Sequence, residues 1–216
     1  MEILTPFQIE VLKRFARTPL NKTFFLTGGT ALSAFYLQHR LSEDLDFFTE
    51  EEGQVPHVIP ILQRIAVDLQ VRIEVRRQFA SYLEIFLHSN KDEIIKCDFA
   101  RDSPYRHEKT IQVPALGIFT DNVVDIACNK LSALFDRTAT KDFVDVYFLD
   151  KETLRFPEML TKAKMKHVGM DDYWLAISLR KVMDLGALPK MVKPLDVEAM
   201  HDFFLTKARE LMEQKG

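Results

Sequence analysis

The stretch LTGGTALSAFYLQHRLSEDLDFF, Leu26 to Phe48, decides the fold. Phe24-Phe25-Leu26 reads as a short buried strand. Gly28-Gly29 lets the backbone turn sharply after it and leaves room for a ligand to approach. Thr30 to Tyr36 has helix-forming composition. In DLDFF the acids alternate with apolar residues, the period of a strand. Asp44 and Asp46 therefore point to one side, with Leu45 and Phe47 on the other.

Working outward, Thr5-Pro6 is a helix start, and FQIEVLKRFAR carries apolar residues at helical spacing. After the polar break EEEGQVP, HVIPILQRIAVDL reads as a helix despite Pro60. Three β-like runs follow, VRIEVRRQF, YLEIFLH and EIIKCDFA, the last two joined by a SNKD turn that predicts a hairpin. From Asp121 onward the pattern is helical. The expected layout is α+β: a small mixed sheet with helices in residues 1–120, then a helical domain over residues 121–216. Tyr173 and Trp174 fall in an amphipathic helix and are expected in its core.

At 216 residues and 47% apolar, the chain can bury a substantial core. No window approaches the ~18 uninterrupted apolar residues of a membrane span, and the N-terminus lacks a signal-peptide layout. Cys97 and Cys128 sit in apolar surroundings without metal-ligand spacing, as expected of buried thiols in a cytoplasmic protein. The net charge of −3 excludes a polycation that coats nucleic acid. Residues 1–150 hold 17 Lys/Arg against 22 Asp/Glu, net −5, and residues 151–216 hold 12 against 10, net +2. This mild asymmetry permits a nucleic-acid partner without arguing for one. There is no P-loop, no hydrolase elbow and no histidine at ligand spacing.

The carboxylates carry the chemistry. In EIIKCDFA, Ile94, Lys96 and Asp98 share one face and Ile95, Cys97 and Phe99 the other, so Asp98 is a third acid on a strand. A carboxylate in a sheet is costly unless it is exposed, paired or bound to a cation. Asp44, Asp46 and Asp98 on adjacent strands suit a hard divalent ion with oxygen ligands. Two such ions roughly 3.5–4 Å apart steady both the attacking and the leaving oxygen of a phosphoryl displacement.

The glycine turn followed by Asp-x-Asp resembles motif I of the polymerase-β-like nucleotidyltransferase superfamily. More narrowly, GGTAL with R-x-SEDLDF, Arg40 to Phe47, resembles the AbiEii/AbiGii toxin family of nucleotidyltransferases. A second stretch, NKLSALFDRTATKDFVDVYFL from Asn129 to Leu149, is similar to the same family: Lys130, Arg137, Lys141, Asp142 and Asp145 fall on its charged positions. On spacing alone, Lys130 and Arg137 share a helix face, as do Asp142 and Asp145. A solvated face laced with ion pairs has the same pattern.

The resemblance implies a minimal nucleotidyltransferase fold in the first half. It implies a pair of Mg²⁺ ions held by Asp44, Asp46 and Asp98, with Asp98 also helping to deprotonate the acceptor hydroxyl. Gly28, Gly29 and Thr30 would lie beside the NTP. Lys130 and Arg137 would offset its phosphate charge, and Asp142 or Asp145 would hold those cations or contact the nucleotide. The expected reaction is transfer of NMP from an NTP to an acceptor hydroxyl, RNA or tRNA, by the toxin of a toxin–antitoxin or abortive-infection system. A separate antitoxin protein is the expected partner. Transfer to a small molecule such as an aminoglycoside, or nucleotide binding without turnover, are the alternatives. Arg72, Arg76 and Arg77 and the basic run Lys162 to His167 read first as solvated faces.

Overall fold

Alternation and capping residues account for most of the element order. In a computed structural model, which describes residues 3–103 and 105–213, Pro6–Phe15 forms α1. Its N-cap is a capping box: Thr5 Oγ1 accepts from the Gln8 N–H, and Gln8 Oε1 accepts from the Thr5 N–H. Phe25–Thr27 is β1, Gly28–Leu32 is α2 and Leu45–Thr49 is β2. Helix α2 starts at Gly28 rather than Thr30. It runs on into a π-turn over Ser33–Leu37 and stops where Gln38 takes a positive φ of 50°. Val58–Leu69 is α3, preceded by a 3₁₀ turn over Val55–His57, so Pro60 falls within the first turn of the α-helix and is tolerated there.

Arg72–Gln78, Tyr82–His88 and Ile94–Arg101 are β3, β4 and β5. Two strands of three residues each complete the sheet, Ile111–Val113 (β6) and Ile118–Thr120 (β7). They are too short, and too close to Pro114 and Gly117, to carry an alternation signal. The sheet order is β3-β4-β5-β2-β1-β7-β6. β2 runs parallel to β5 and β1 parallel to β7, and the other neighbours are antiparallel. The sheet is therefore mixed.

Alternation decides which face is core. Leu45 and Phe47 of β2, Leu83, Ile85 and Leu87 of β4, and Ile95, Cys97 and Phe99 of β5 are all buried. Phe47 is paired in register with Phe99, their rings stack at 4.9 Å, and Phe15 of α1 stacks on Phe47 at 4.3 Å. Cys97 and Cys128 are buried reduced thiols, and burial pushes the Cys97 thiol up, with the charges of Asp98, Asp46 and Asp44 adding to the shift.

The helices that follow are α4 (Val123–Arg137), α5 (Thr140–Glu152), α6 (Phe156–Lys166), α7 (Asp172–Arg180) and α8 (Val197–Glu213). The chain divides into two compact units, Met1–Phe35 with Ser42–Asn122, and Tyr36–Leu41 with Val123–Gly216. The sheet and α1 to α3 make the first. The second contains α4 to α8 and the short segment Tyr36–Leu41, whose Arg40 bridges Met191. In the second unit α7 departs from expectation. Tyr173 and Trp174 are 44% and 60% exposed, packed edge-on against each other, because the buried seam of this helix runs through Leu175, Ala176 and Leu179. Among the described residues no helix is long and apolar enough to cross a membrane.

Candidate active site

The first unit builds an acidic row on the open face of its sheet. Strand β2 places Asp46 opposite Asp98 of β5, and Asp98 lies opposite Glu84 of β4. Three carboxylates thus line up across three adjacent strands, at a strand spacing of roughly 4.8 Å, directly above the Phe47–Phe99 stack on the core face. Asp44 sits one residue before β2. The sequence reading missed Glu84; its signal was the alternation of YLEIFLH, which turns Tyr82, Glu84 and Phe86 to the same side as Asp98.

Gly28 is where the turn meets the acids. Its φ is +71°, and a Cβ at this position would land on the Asp46 carboxylate. Only glycine allows both the backbone conformation and that approach. Gly28→Ala is therefore expected to cost about 1–2 kcal/mol from the left-handed backbone alone and to push the Asp46 carboxylate out of the row. Chemical denaturation would read the first effect and divalent-cation titration the second.

Other groups hold this corner. Thr30, expected beside a nucleotide, is fully buried, and its hydroxyl donates to the Asp44 carbonyl. Gly29 is buried in α2. Gln8, also buried, donates its amide to the Ser42 and Glu43 carbonyls at 3.0 and 3.2 Å, fixing the loop that leads into Asp44. Behind the turn, Thr27 donates to Asp121 Oδ2 at 3.0 Å, and Arg106 pairs with the same carboxylate while lying over the Phe25 ring. Gln8 and Asp121 are supports the sequence reading did not single out. A polar residue inside a helix, or before one, gives no signal until its partner is known.

The row is not an open cage. The Tyr82 hydroxyl donates to Asp98 Oδ1 at 2.9 Å and reaches Glu84 Oε2 at 3.3 Å. Lys96 Nζ donates to Asp98 Oδ2 at 2.5 Å and lies 3.6 Å from Glu84 Oε2. Burial works against the Lys96 ammonium, but the hydrogen bond and charge of Asp98, with the charges of Asp44 and Glu84, outweigh it and hold its pKa above the ordinary lysine value. Burial, then Asp98 and Glu84, pushes the Tyr82 phenol up, so it stays a hydrogen-bond donor.

The donors suit a hard divalent ion in kind: oxygen ligands, with a glycine where a side chain would fill the cradle. Yet among the described residues no three acidic, imidazole or thiol groups converge on one ion. Asp98 is aligned with Asp46, but both its oxygens are engaged by Tyr82 and Lys96.

The second unit gathers the other expected residues around a buried carboxylate. Asp145 has no exposed surface. It accepts from Lys130 Nζ at 2.7 Å, bidentately from Arg40 at 2.6 and 2.8 Å, and faces His39 Nε2 at 2.7 Å. Burial disfavours its charge, but Lys130 and Arg40 more than compensate and hold the carboxyl well below the usual range. Lys130, expected as an open point charge, is only 6% exposed. Asp142, also buried, takes a bidentate grip from Arg137 at 2.7 and 2.9 Å and lies 3.5 Å from Lys130. Arg137 is the open member, its side chain 54% exposed, and Lys141 is exposed as well. His39 and the part played by Arg40 escaped the sequence reading, because their partner is more than a hundred residues away in the chain.

A mixed sheet with a glycine turn set against strand aspartates defines a nucleotidyltransferase fold, and solved structures share it. A Helicobacter pylori protein proposed to be a nucleotidyltransferase superposes with a TM-score of 0.64 at 21% identity, covering 95% of this chain and 91% of that one. MenT4, a nucleotidyltransferase toxin from Mycobacterium tuberculosis, gives 0.64 at 16% identity over 95% of this chain and 82% of that one. An uncharacterized protein of Aquifex aeolicus (strain VF5) is 28% identical over 228 residues, 99% of this chain and all of the relative. The chain belongs to the family described as nucleotidyl transferase AbiEii toxin, type IV TA system, whose model matches residues 10–212.

Proposed function

We propose that the protein is a metal-dependent nucleotidyltransferase that moves NMP from an NTP to a hydroxyl of RNA, with tRNA the leading acceptor, as the toxin partner of a separate antitoxin protein. The observation that supports this most is the alignment of Asp46 with Asp98 across β2 and β5, beside a glycine whose missing Cβ makes space for the Asp46 carboxylate. Membership of the toxin family supports the biological setting.

In the reaction the acceptor oxygen attacks the α-phosphorus. A new O–P bond forms as the bond from that phosphorus to the bridging oxygen breaks, and pyrophosphate leaves. Asp98 takes the proton of the attacking hydroxyl. Asp44 and Asp46, with Asp98, would hold Mg²⁺, which supplies neutralisation of phosphate charge and polarisation of the phosphoryl oxygens. Gly28 lets the turn close onto the Asp46 carboxylate, and Gly29, buried in α2, holds the turn beside it. Thr30 acts through Asp44 by bracing its carbonyl. In the second unit Arg137, its fork anchored on Asp142 and its side chain half-exposed, offers positive charge to a phosphate chain, while Lys130 and Asp145 hold α4 to α5. Little covalent chemistry is asked of the side chains, and positioning with charge stabilisation carries the rate.

The decisive experiment incubates the purified protein with each labelled NTP, Mg²⁺ and total cellular RNA. Label in RNA with matching pyrophosphate release is expected, and chelation with EDTA should remove both. Label appearing only with a pool of small alcohols would replace RNA by a small-molecule acceptor. NTP binding by calorimetry with no pyrophosphate from any pool would reduce the protein to a binding module.

A further inference from the structure

We infer that Lys96 is a tethered counter-cation of the acidic row: its ammonium occupies the place between Asp98 and Glu84 while no divalent ion is bound, and leaves it when one is. The inference rests on the metal-dependent reading above. Strand alternation puts Lys96 two residues before Asp98 on the same face of β5, and register puts Glu84 beside Asp98 on β4 and Asp46 beside it on β2. Three carboxylates at neighbouring strand positions repel one another unless positive charge stands among them. Lys96 supplies it, at 2.5 Å from Asp98 and 3.6 Å from Glu84.

The arrangement also accounts for the engagement of Asp98. One of its oxygens is taken by the Tyr82 hydroxyl and the other by the ammonium. A divalent ion on the oxygen that Lys96 holds would face the ammonium at close range, and that repulsion favours release of Lys96. Release is sterically easy. The Lys96 side chain is 28% exposed, so its flexible stem can swing its charge into solvent without opening the core. Tyr82 bridges Asp98 and Glu84 and keeps the two acids in place through the exchange. Lys96 is thus a positioning residue that sets how tightly the row takes a divalent ion.

The test uses the whole native chain. Lysine acylation read by peptide mass spectrometry is compared in EDTA and in saturating Mn²⁺. Acylation of Lys96 should accelerate several-fold with Mn²⁺, while Lys22 and Lys109 serve as internal references. In parallel, Lys96→Met should bind Mn²⁺ about tenfold more tightly by calorimetry and melt below the wild type in EDTA, the gap closing as Mn²⁺ is added. If that variant does not fold, the acylation rates on the wild type decide alone. Mn²⁺ binding that depends on Asp46, with unchanged Lys96 reactivity, would overturn this inference and leave the metal reading standing. No Mn²⁺ binding by the wild type at all would remove both.

Discussion

Asp46→Asn is expected to lower RNA labelling by at least about a thousandfold, roughly 4 kcal/mol of transition-state stabilisation, with no loss of fold. The side chain lies on the open face of β2, where asparagine fits the same space beneath Gly28. What changes is charge. A neutral amide offers one weaker oxygen to a divalent ion and no longer offsets its charge. Removing one acid from a row that also holds Asp98 and Glu84 relieves repulsion, so the melting temperature in EDTA should stay level or rise slightly. Measuring labelling and melting on the same preparation separates the two. Undiminished labelling by this variant would reject the assignment of Asp46.

The largest effect on stability is expected at Asp145. Asp145→Ala leaves Lys130 and Arg40, both buried, facing each other with His39 and without the carboxylate that binds them. Breaking a buried charge pair from one side costs about 3–5 kcal/mol, and urea denaturation should show a loss of that order. The pH dependence has a definite sign. Because the folded carboxyl has a depressed pKa, its contribution is fully present above the unfolded value of about 4 and is lost as pH falls through the folded one. The wild type should therefore lose stability on acidification below about pH 4, and the alanine variant should lack this component of the slope. A variant as stable as the wild type at neutral pH would show that the cluster contributes nothing net.

Much of the first unit could be read from the chain itself. Short-range alternation placed Asp46, Asp98, Phe47 and Phe99 on their correct faces, because a period of two residues survives even in a five-residue strand. The pairing that makes them a site is not local. That β5 lies parallel beside β2, with β4 on its far side, is set by sheet topology, so Glu84 stayed invisible although its own strand was recognised. Lys130 and Asp145 were legible as charges but not as buried ones. A lysine at helical spacing looks solvated until the guanidinium of Arg40, on a distant segment, is known to share its partner. Trp174 shows the opposite error: an aromatic in an amphipathic helix was given to the core, and its position in the first turn of α7 left it outside.

The excursion of Tyr36–Leu41 into the second unit has a consequence for dissection of the molecule. No single scission yields two self-sufficient pieces. A fragment ending near residue 122 would keep the glycine turn and all the strand acids, but it would strand the imidazole and guanidinium of His39 and Arg40 without their anion. The complementary fragment would carry that anion with Lys130 alone, among the described residues, to neutralise it. Split versions of the protein are thus workable only when the hexapeptide is grafted back or the halves are supplied together.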